Sequence, residues 1–428
     1  MQYFSTNKKS SLVSFREAVL NGQPPDKGLY FPAIIPPINN LSLRDKSKAE
    51  TAFAVIHPFV GNTIADEQLF EICQNAVNFD FPLVKITDDI YALELFHGAT
   101  LAFKDVGARF MSGCLQHFTQ EKKEKTIVIV ATSGDTGGAV AAGFLGAKNV
   151  EVVILYPSGK VSNVQELQLT TLGQNITALE VTGTFDDCQT LAKTALADDD
   201  IKQQVFLTSA NSINVARWLP QQFYYFYALQ KWQEKTAPVI SVPSGNFGNI
   251  CAGLLAQSGG LPIKHFIAAT NANDVVPRFL ESGDMQTKSS VATLSNAMDV
   301  ANPSNFARIL EMFGGNIEKL KSQMLSISVT DETTARTMRE VYQKYNYILD
   351  PHGAVGFYAL QQHLLKNPKE KGIFLATAHP VKFDSVTEIL GTFGEIPRAI
   401  KELLSRPKQT IEIKANYIDL KEILLSKI

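Results

Sequence analysis

The chain has 428 residues, of which 45% are hydrophobic and 19% charged, the composition of a globular protein of roughly two or three domains and not of a disordered one. Its 40 Lys and Arg against 42 Asp and Glu leave a formal charge of −2, which excludes a generally cationic nucleic-acid binder. Cys73, Cys114, Cys188 and Cys251 are far apart and form no CxxC pair, so neither a disulfide framework nor a thiolate metal site is indicated. The polar amino terminus, MQYFSTNKKS, and the lack of an apolar run of about 18 residues are expected of a soluble, cytoplasmic protein with no membrane partner.

In chain order, Ser14-Phe-Arg-Glu17 has capping-box spacing and predicts a short helix ending at Gly22. Prolines at 24, 25, 32, 36 and 37 then stiffen a loop that reads as a boundary or a docking segment. Residues 1–95 are expected to form a separate, partly helical unit. From Thr126 onward, short runs rich in Val, Ile and Phe alternate with amphipathic stretches long enough for crossover helices, the rhythm of a parallel sheet. The strand candidates are Thr126 to Ala131, Val150 to Tyr156, Ile176 to Val181, Val205 to Ser209, Pro238 to Val242, His265 to Thr270 and Ile373 to Thr377. Most are apolar without alternation, as strands covered on both faces are. The charged runs 121–125 and 366–371 read as solvated connectors.

Small and polar residues cluster just after these strands, where open α/β sheets bind ligands. Ser244-Gly-Asn-Phe-Gly-Asn249 lies between an apolar strand and a helical stretch. It is either an ordinary turn or an anion site of backbone N–H groups, with Gly245 and Gly248 allowing close approach and Asn249 or Ser244 capping the helix. No Walker lysine follows and GxGxxG is absent, so a small phosphate ester fits better than a nucleotide. Thr132-Ser-Gly-Asp-Thr-Gly-Gly138 is a second polar turn, and the absence of GxSxG argues against Ser133 as a covalent nucleophile. Ser212 and Arg217 follow a third strand, where an arginine either faces solvent or clamps a phosphate or carboxylate. No His pair has helical zinc spacing and HExxH is missing, so no catalytic metal is expected. His379, and His352 in a turn beside Pro351, are open to structural or catalytic roles. Lys104 follows the apolar Leu101-Ala-Phe103; it is either a snorkelling surface lysine or a desolvated amine suited to Schiff-base chemistry.

Taken together, LFHGATLAFKDVGARF (95–110), ATSGDTGGA, SANSINVAR, VPSGNFGN, TLSNAMDV and ATAHP in this order resemble the threonine synthase family, of the shorter type with its own N-terminal domain. The similarity runs from GLYFP near residue 30 to about residue 390. It implies a fold-type-II pyridoxal-phosphate enzyme, tryptophan synthase β-like, with two parallel-sheet α/β domains beside the partly helical unit. Residues 96–428 then form the catalytic region, with a smaller subdomain at roughly 126–215. It also implies conversion of O-phospho-L-homoserine and water to threonine and phosphate, by a monomer or homodimer. Lys104 is then the Schiff-base lysine, and Gly245, Asn246, Phe247, Gly248 and Asn249 hold the cofactor phosphate. Thr377 faces the pyridine nitrogen and Asp135 the phenolic oxygen, which needs a shared proton if both oxygens are anionic. Ser133, Thr136, Ser212 and Arg217 hold the substrate's phosphate and carboxylate. The family's His-Gly-Pro-Thr reads His97-Gly-Ala99-Thr100, which predicts a softer loop with intact chemistry.

Overall fold

The computed structural model describes residues 1–120, 124–286 and 288–427, so residues 121–123 of the first charged run lie outside the described residues. The amino-terminal segment forms a small antiparallel sheet in the order β2-β1-β3, from β1 (Gln2–Ser5), β2 (Val13–Ser14) and β3 (Tyr30–Pro32). The capping box is present: Ser14 accepts from the Glu17 N–H and the Glu17 side chain returns to the Ser14 N–H, starting the helix Phe15–Asn21, which stops at Gly22 with φ 69°. Helices Lys48–Val60 and Asp66–Ala76 follow. The proline-rich loop therefore contains a strand, β3, zipped to β1 through the pair Tyr3 and Pro32.

Two larger sheets carry the rest. One has the order β14-β8-β7-β6-β9, all parallel, from β6 (Thr126–Ala131), β7 (Val150–Pro157), β8 (Ile176–Thr182), β9 (Phe206–Ser209) and β14 (Ile411–Lys414). The other has the order β12-β11-β10-β13-β5-β4, from β4 (Leu83–Lys85), β5 (Ile90–Glu94), β10 (Val239–Pro243), β11 (His265–Thr270), β12 (Met324–Ser328) and β13 (Gly372–Ala376). Only β4 runs antiparallel to its neighbour in this sheet.

The apolar run of β6 has a direct packing cause. Ile127 and Ile129 face a core with Val153, Leu155, Leu191 and Leu420, while Val128 and Val130 face another with Phe110, Val140 and Ile154. A strand sandwiched this way has no solvent face to mark with polar residues. In these two larger sheets, the strands that sequence pattern did not single out are β4, β5, β12 and β14. All lie at or near sheet edges, and β14 buries only Ile413, too little for a periodic signal. Residues 83–94, within the first ninety-five, pair into the six-stranded sheet through β5 and β13. Residues 411–414 complete the five-stranded one from the far end of the chain.

Candidate active site

The two sheets reverse direction at points that face the same polar loops. From β10 the chain proceeds outward to β11 and β12, while β13 lies on the other side of β10; from β6 it proceeds to β7 and β8, while β9 lies on the other side of β6. Loops leaving adjacent strands at such a switch point diverge and open a crevice. The four loops concerned are Ser244–Asn249 after β10, Thr377–His379 after β13, Thr132–Gly138 after β6 and Ser209–Asn214 after β9.

Lys104 is brought to the first of these points by its own backbone. Ala102 and Ala378 form an isolated bridge, Phe103 N–H donates to the Thr377 carbonyl at 2.9 Å, and His379 N–H donates to the Leu101 carbonyl at 3.0 Å. The lysine thus opens the helix Lys104–Thr119 beside the end of β13. The turn before it is held by Asp105, whose carboxylate accepts from the Thr100 hydroxyl at 2.5 Å and the Thr100 N–H at 2.8 Å. Only 18% of the Lys104 side chain is exposed. Burial lowers its pKa, the nearby Asp135 carboxylate opposing this and the Lys382 and Arg217 cations adding to it. The snorkelling alternative is set aside.

Asp135 is the first residue of the helix Asp135–Phe144, where the helix dipole favours an anion. Its Oδ2 lies 3.7 Å from Lys104 Nζ. Its Oδ1 accepts from Lys382 Nζ at 2.7 Å and from Gln165 Nε2 at 2.8 Å. Burial alone would raise its pKa, but Lys382 and Lys104 hold it well below the usual carboxylate range. The preceding Gly134 has φ 140°, and a β-carbon there would stand 2.5 Å from Gln165 Oε1, so only glycine lets the loop pass.

The glycine turn has the form of an anion cradle. Phe247 sits in the left-handed region, φ 59°, at the start of helix Gly248–Ser258 and makes no side-chain cap. Leu101, φ 57°, is left-handed too. Among the described residues, the backbone N–H groups of Gly245, Asn246, Phe247, Gly248 and Asn249 have no acceptor. Capping by Ser244 or Asn249 is not what occurs: the Ser244 hydroxyl donates to the Val242 carbonyl, and Asn249 is already helical, its Oδ1 accepting from Tyr225. A side-chain cap would occupy the amides that the turn leaves free.

The second switch point is stitched to the first. Ser212 Oγ accepts from Asn246 Nδ2 at 2.9 Å and from Asn305 Nδ2 at 3.4 Å. Asn246 Oδ1 in turn accepts from Ser304 N–H at 2.7 Å. Arg217 is buried in the short helix Val215–Trp218 and bonds the Ala210 carbonyl; its Nε has no partner among the described residues. Burial pushes its pKa down to about 10, which leaves it charged. Ser133 and Thr136 are half-buried at the start of helix Asp135–Phe144. The histidines have local structural work. His352 is at the start of helix Pro351–Lys366 and not in a free turn; its Nδ1 pairs with Asp350 at 2.7 Å, and its Nε2 accepts from the Ala297 N–H. His379 accepts from the Val381 N–H.

Sequence reasoning missed Lys382, Gln165, Asn305 and Arg308. Lys382 lies between Val381 and Phe383, the same lysine-in-apolar-context signal that singled out Lys104. Arg308 bonds the carbonyls of Tyr30 and Ile213 and lies over Trp218, joining the amino-terminal sheet to the Ser212 loop; its helical neighbours give no hint of this.

The residues fit a small aldehyde-bearing phosphate ester. A run of unpaired amides at a helix N-terminus suits the phosphate, and a half-desolvated lysine suits the aldehyde. The buried Asn249 Nδ2 and Arg217 Nε, both without partners among the described residues, mark polar capacity not consumed by the protein. Comparison with known proteins agrees. Residues 81–377 match the family model described as pyridoxal-phosphate dependent enzyme, residues 2–77 that for threonine synthase N terminus, and residues 353–424 that for threonine synthase, C-terminal. A threonine synthase of Serratia marcescens is 44% identical over 431 residues, covering 99% of each chain. The crystal structure of threonine synthase from Escherichia coli superposes with a TM-score of 0.93 at 42% identity, covering 100% of both chains. The pyridoxal-phosphate-bound threonine synthase from Brucella melitensis superposes with a TM-score of 0.92 at 34% identity, covering 99% of this chain and 98% of that one.

Proposed function

The chain belongs to the threonine synthase family of pyridoxal-phosphate-dependent lyases, and we propose that its cleft converts O-phospho-L-homoserine and water to L-threonine and phosphate with Lys104 as the covalent anchor of the cofactor. The observation that carries the residue assignment is the buried Lys104 amine, 3.7 Å from Asp135, tied by its backbone to the strand beside the glycine turn. The cofactor, when bound, supplies an electron sink for charge developed at the substrate's α-carbon.

On this reading Gly245, Asn246, Phe247, Gly248 and Asn249 hold the cofactor phosphate by backbone amides without a charged partner. Thr377 would present a neutral hydroxyl to the pyridine nitrogen, and Asp135 would face the phenolic oxygen. Lys382 supplies the compensation that two adjacent anionic oxygens require, so no proton need be shared on Asp135. Lys104, when its amine is not engaged by the cofactor, would remove the α-proton, a role that needs the neutral amine favoured by burial. A further proton leaves the β-carbon as phosphate departs from the γ-carbon; a proton returned to the γ-carbon makes the methyl group, water adds its oxygen at the β-carbon, and a proton returned to the α-carbon completes threonine. Ser133, Thr136, Ser212 and Arg217 orient the substrate's two anionic groups, Arg217 with an N–H not yet used. Only 4% of the Asp135 side chain is exposed, which limits water at the carboxylate beside Lys104.

Location in the cytoplasm belongs to the same proposal. The four cysteines are free and buried, as suits a reducing compartment, and among the described residues no helix is long and apolar enough to cross a membrane. A monomer or homodimer is expected. The test is the visible absorbance of the purified protein before and after phosphohomoserine, with product analysis. Threonine and phosphate are expected, and Lys104→Ala removes both the absorbance and the turnover. Phosphate with α-ketobutyrate instead of threonine indicates a dehydratase-like lyase, and a Lys104→Ala variant that keeps colour and turnover removes the assignment.

A further inference from the structure

Lys382 is a cation with no access to water: its side chain is 0% exposed. Its ammonium donates to Asp135 Oδ1 at 2.7 Å and to the Thr100 carbonyl at 2.7 Å. Thr100 lies in the turn that leads to Lys104, and its carbonyl also accepts from Gln168 Nε2 at 3.0 Å. The Lys382 carbonyl accepts from the Ser162 hydroxyl at 2.7 Å, and the Lys382 N–H closes the turn Pro380–Lys382 on the His379 carbonyl. One side chain therefore joins the end of the six-stranded sheet, the loop after β6 and the Lys104 segment. A buried lysine is costly unless it is paired, and stability alone is served as well by an apolar residue of that length. Its position points to the reaction.

We propose that Lys382 is a positioning residue for the Schiff-base lysine: its ammonium clamps Asp135 in place and cancels its charge, so that the carboxylate orients the Lys104 amine without trapping it as an ammonium ion. The proposal rests on the reading of Lys104 as the cofactor's covalent partner. The distances carry the argument. Asp135 lies 2.7 Å from Lys382 and 3.7 Å from Lys104, so its closer and fully enclosed partner takes the larger share of its attraction. Lys104 sees Asp135 from the helix Asp135–Phe144, Lys382 from the turn Pro380–Lys382 and Arg217 from the helix Val215–Trp218, one anion against two cations. Removing Lys382 leaves an uncompensated carboxylate facing the amine, an arrangement that raises an amine's pKa by about one unit or more. The neutral amine is the form that attacks an aldehyde and that accepts a proton, so both steps depend on this balance.

The test uses full-length protein freed of cofactor, with the rate of pyridoxal phosphate uptake followed by absorbance across pH. In Lys382→Met the midpoint of the rate profile rises by about one pH unit or more, and in Lys382→Met combined with Asp135→Asn it falls back towards that of the unaltered chain. If Lys382→Met does not fold, Lys382→Gln, which retains hydrogen-bond donors but no charge, carries the same expectation. An unmoved midpoint in the folded single variant, even with slower uptake or a lower Tm, overturns the proposal, because a merely structural lysine changes amplitude and stability without changing the titration. A double variant whose midpoint stays as high as that of the single one overturns it as well, since the effect then does not pass through Asp135. Borohydride reduction and peptide mapping separate the two readings: a label on Lys104 with an unmoved midpoint removes the role of Lys382 alone, whereas a label elsewhere removes the reading of Lys104 beneath it.

Discussion

Gly245→Ala is the sharpest test of the anion cradle. The β-carbon it adds falls 2.6 Å from the Met298 Cα and 3.1 Å from the Ala297 carbonyl oxygen. Both neighbours are backbone atoms, so relief cannot come from a side-chain rotamer. Ala297 is held in turn, since its N–H donates to the buried His352 at 3.2 Å. The turn itself must move outward, and overpacking of this kind costs roughly 1–3 kcal/mol of stability. The larger consequence is local. A displacement of the turn misaligns the amides of Gly245 to Asn249, and each charge-assisted hydrogen bond lost to a phosphate is worth about 1.5–3 kcal/mol. Loss of a single such bond weakens cofactor retention roughly 10- to 100-fold. The assay is a titration of the variant with pyridoxal phosphate followed by absorbance, with circular dichroism confirming the fold. A folded variant that binds the cofactor as tightly as the unaltered chain refutes the placement of the phosphate at this turn.

Further expectations concern the other anion, the histidine at the edge of the site and the carboxyl-terminal helix Tyr417–Leu425. Arg217→Ala impairs turnover of phosphohomoserine while the cofactor absorbance persists; a colourless variant instead assigns Arg217 to the cofactor phosphate. Burial holds the pKa of His379 down to about 4, below the ordinary value of about 6.5, so folding favours its neutral form. Its contribution to stability is complete above about pH 6.5 and declines as the pH falls towards 4. Measured Tm of His379→Gln should therefore fall less steeply over this range, and parallel curves would exclude the effect. Leu420 is fully buried against the five-stranded sheet, and Leu420→Ala is expected to cost about 2–4 kcal/mol in urea unfolding. A change below about 0.5 kcal/mol, the scale of a surface substitution, would mean that the carboxyl-terminal helix does not share that core.

The sequence by itself determined the parallel α/β character, because strands buried on both faces, such as Thr126–Ala131 and His265–Thr270, appear as unbroken apolar runs of strand length. It also placed the polar turns that the proposed function assigns to ligand, since glycine and polar residues directly after such strands fall in the loops that leave the packed sheet. Lys104 stood out because three apolar residues lead into a charge that solvent does not explain. The tertiary structure alone decided that residues 411–414 complete a sheet begun nearly three hundred residues earlier, a pairing that leaves no trace in a short edge strand with one buried side chain. It alone decided the charge state at the centre of the cleft as well. Asp135, Lys104 and Lys382 are distant in the chain, and the ionisation of Asp135 and Lys104 follows from burial and from distances of a few ångströms that exist only in the folded chain.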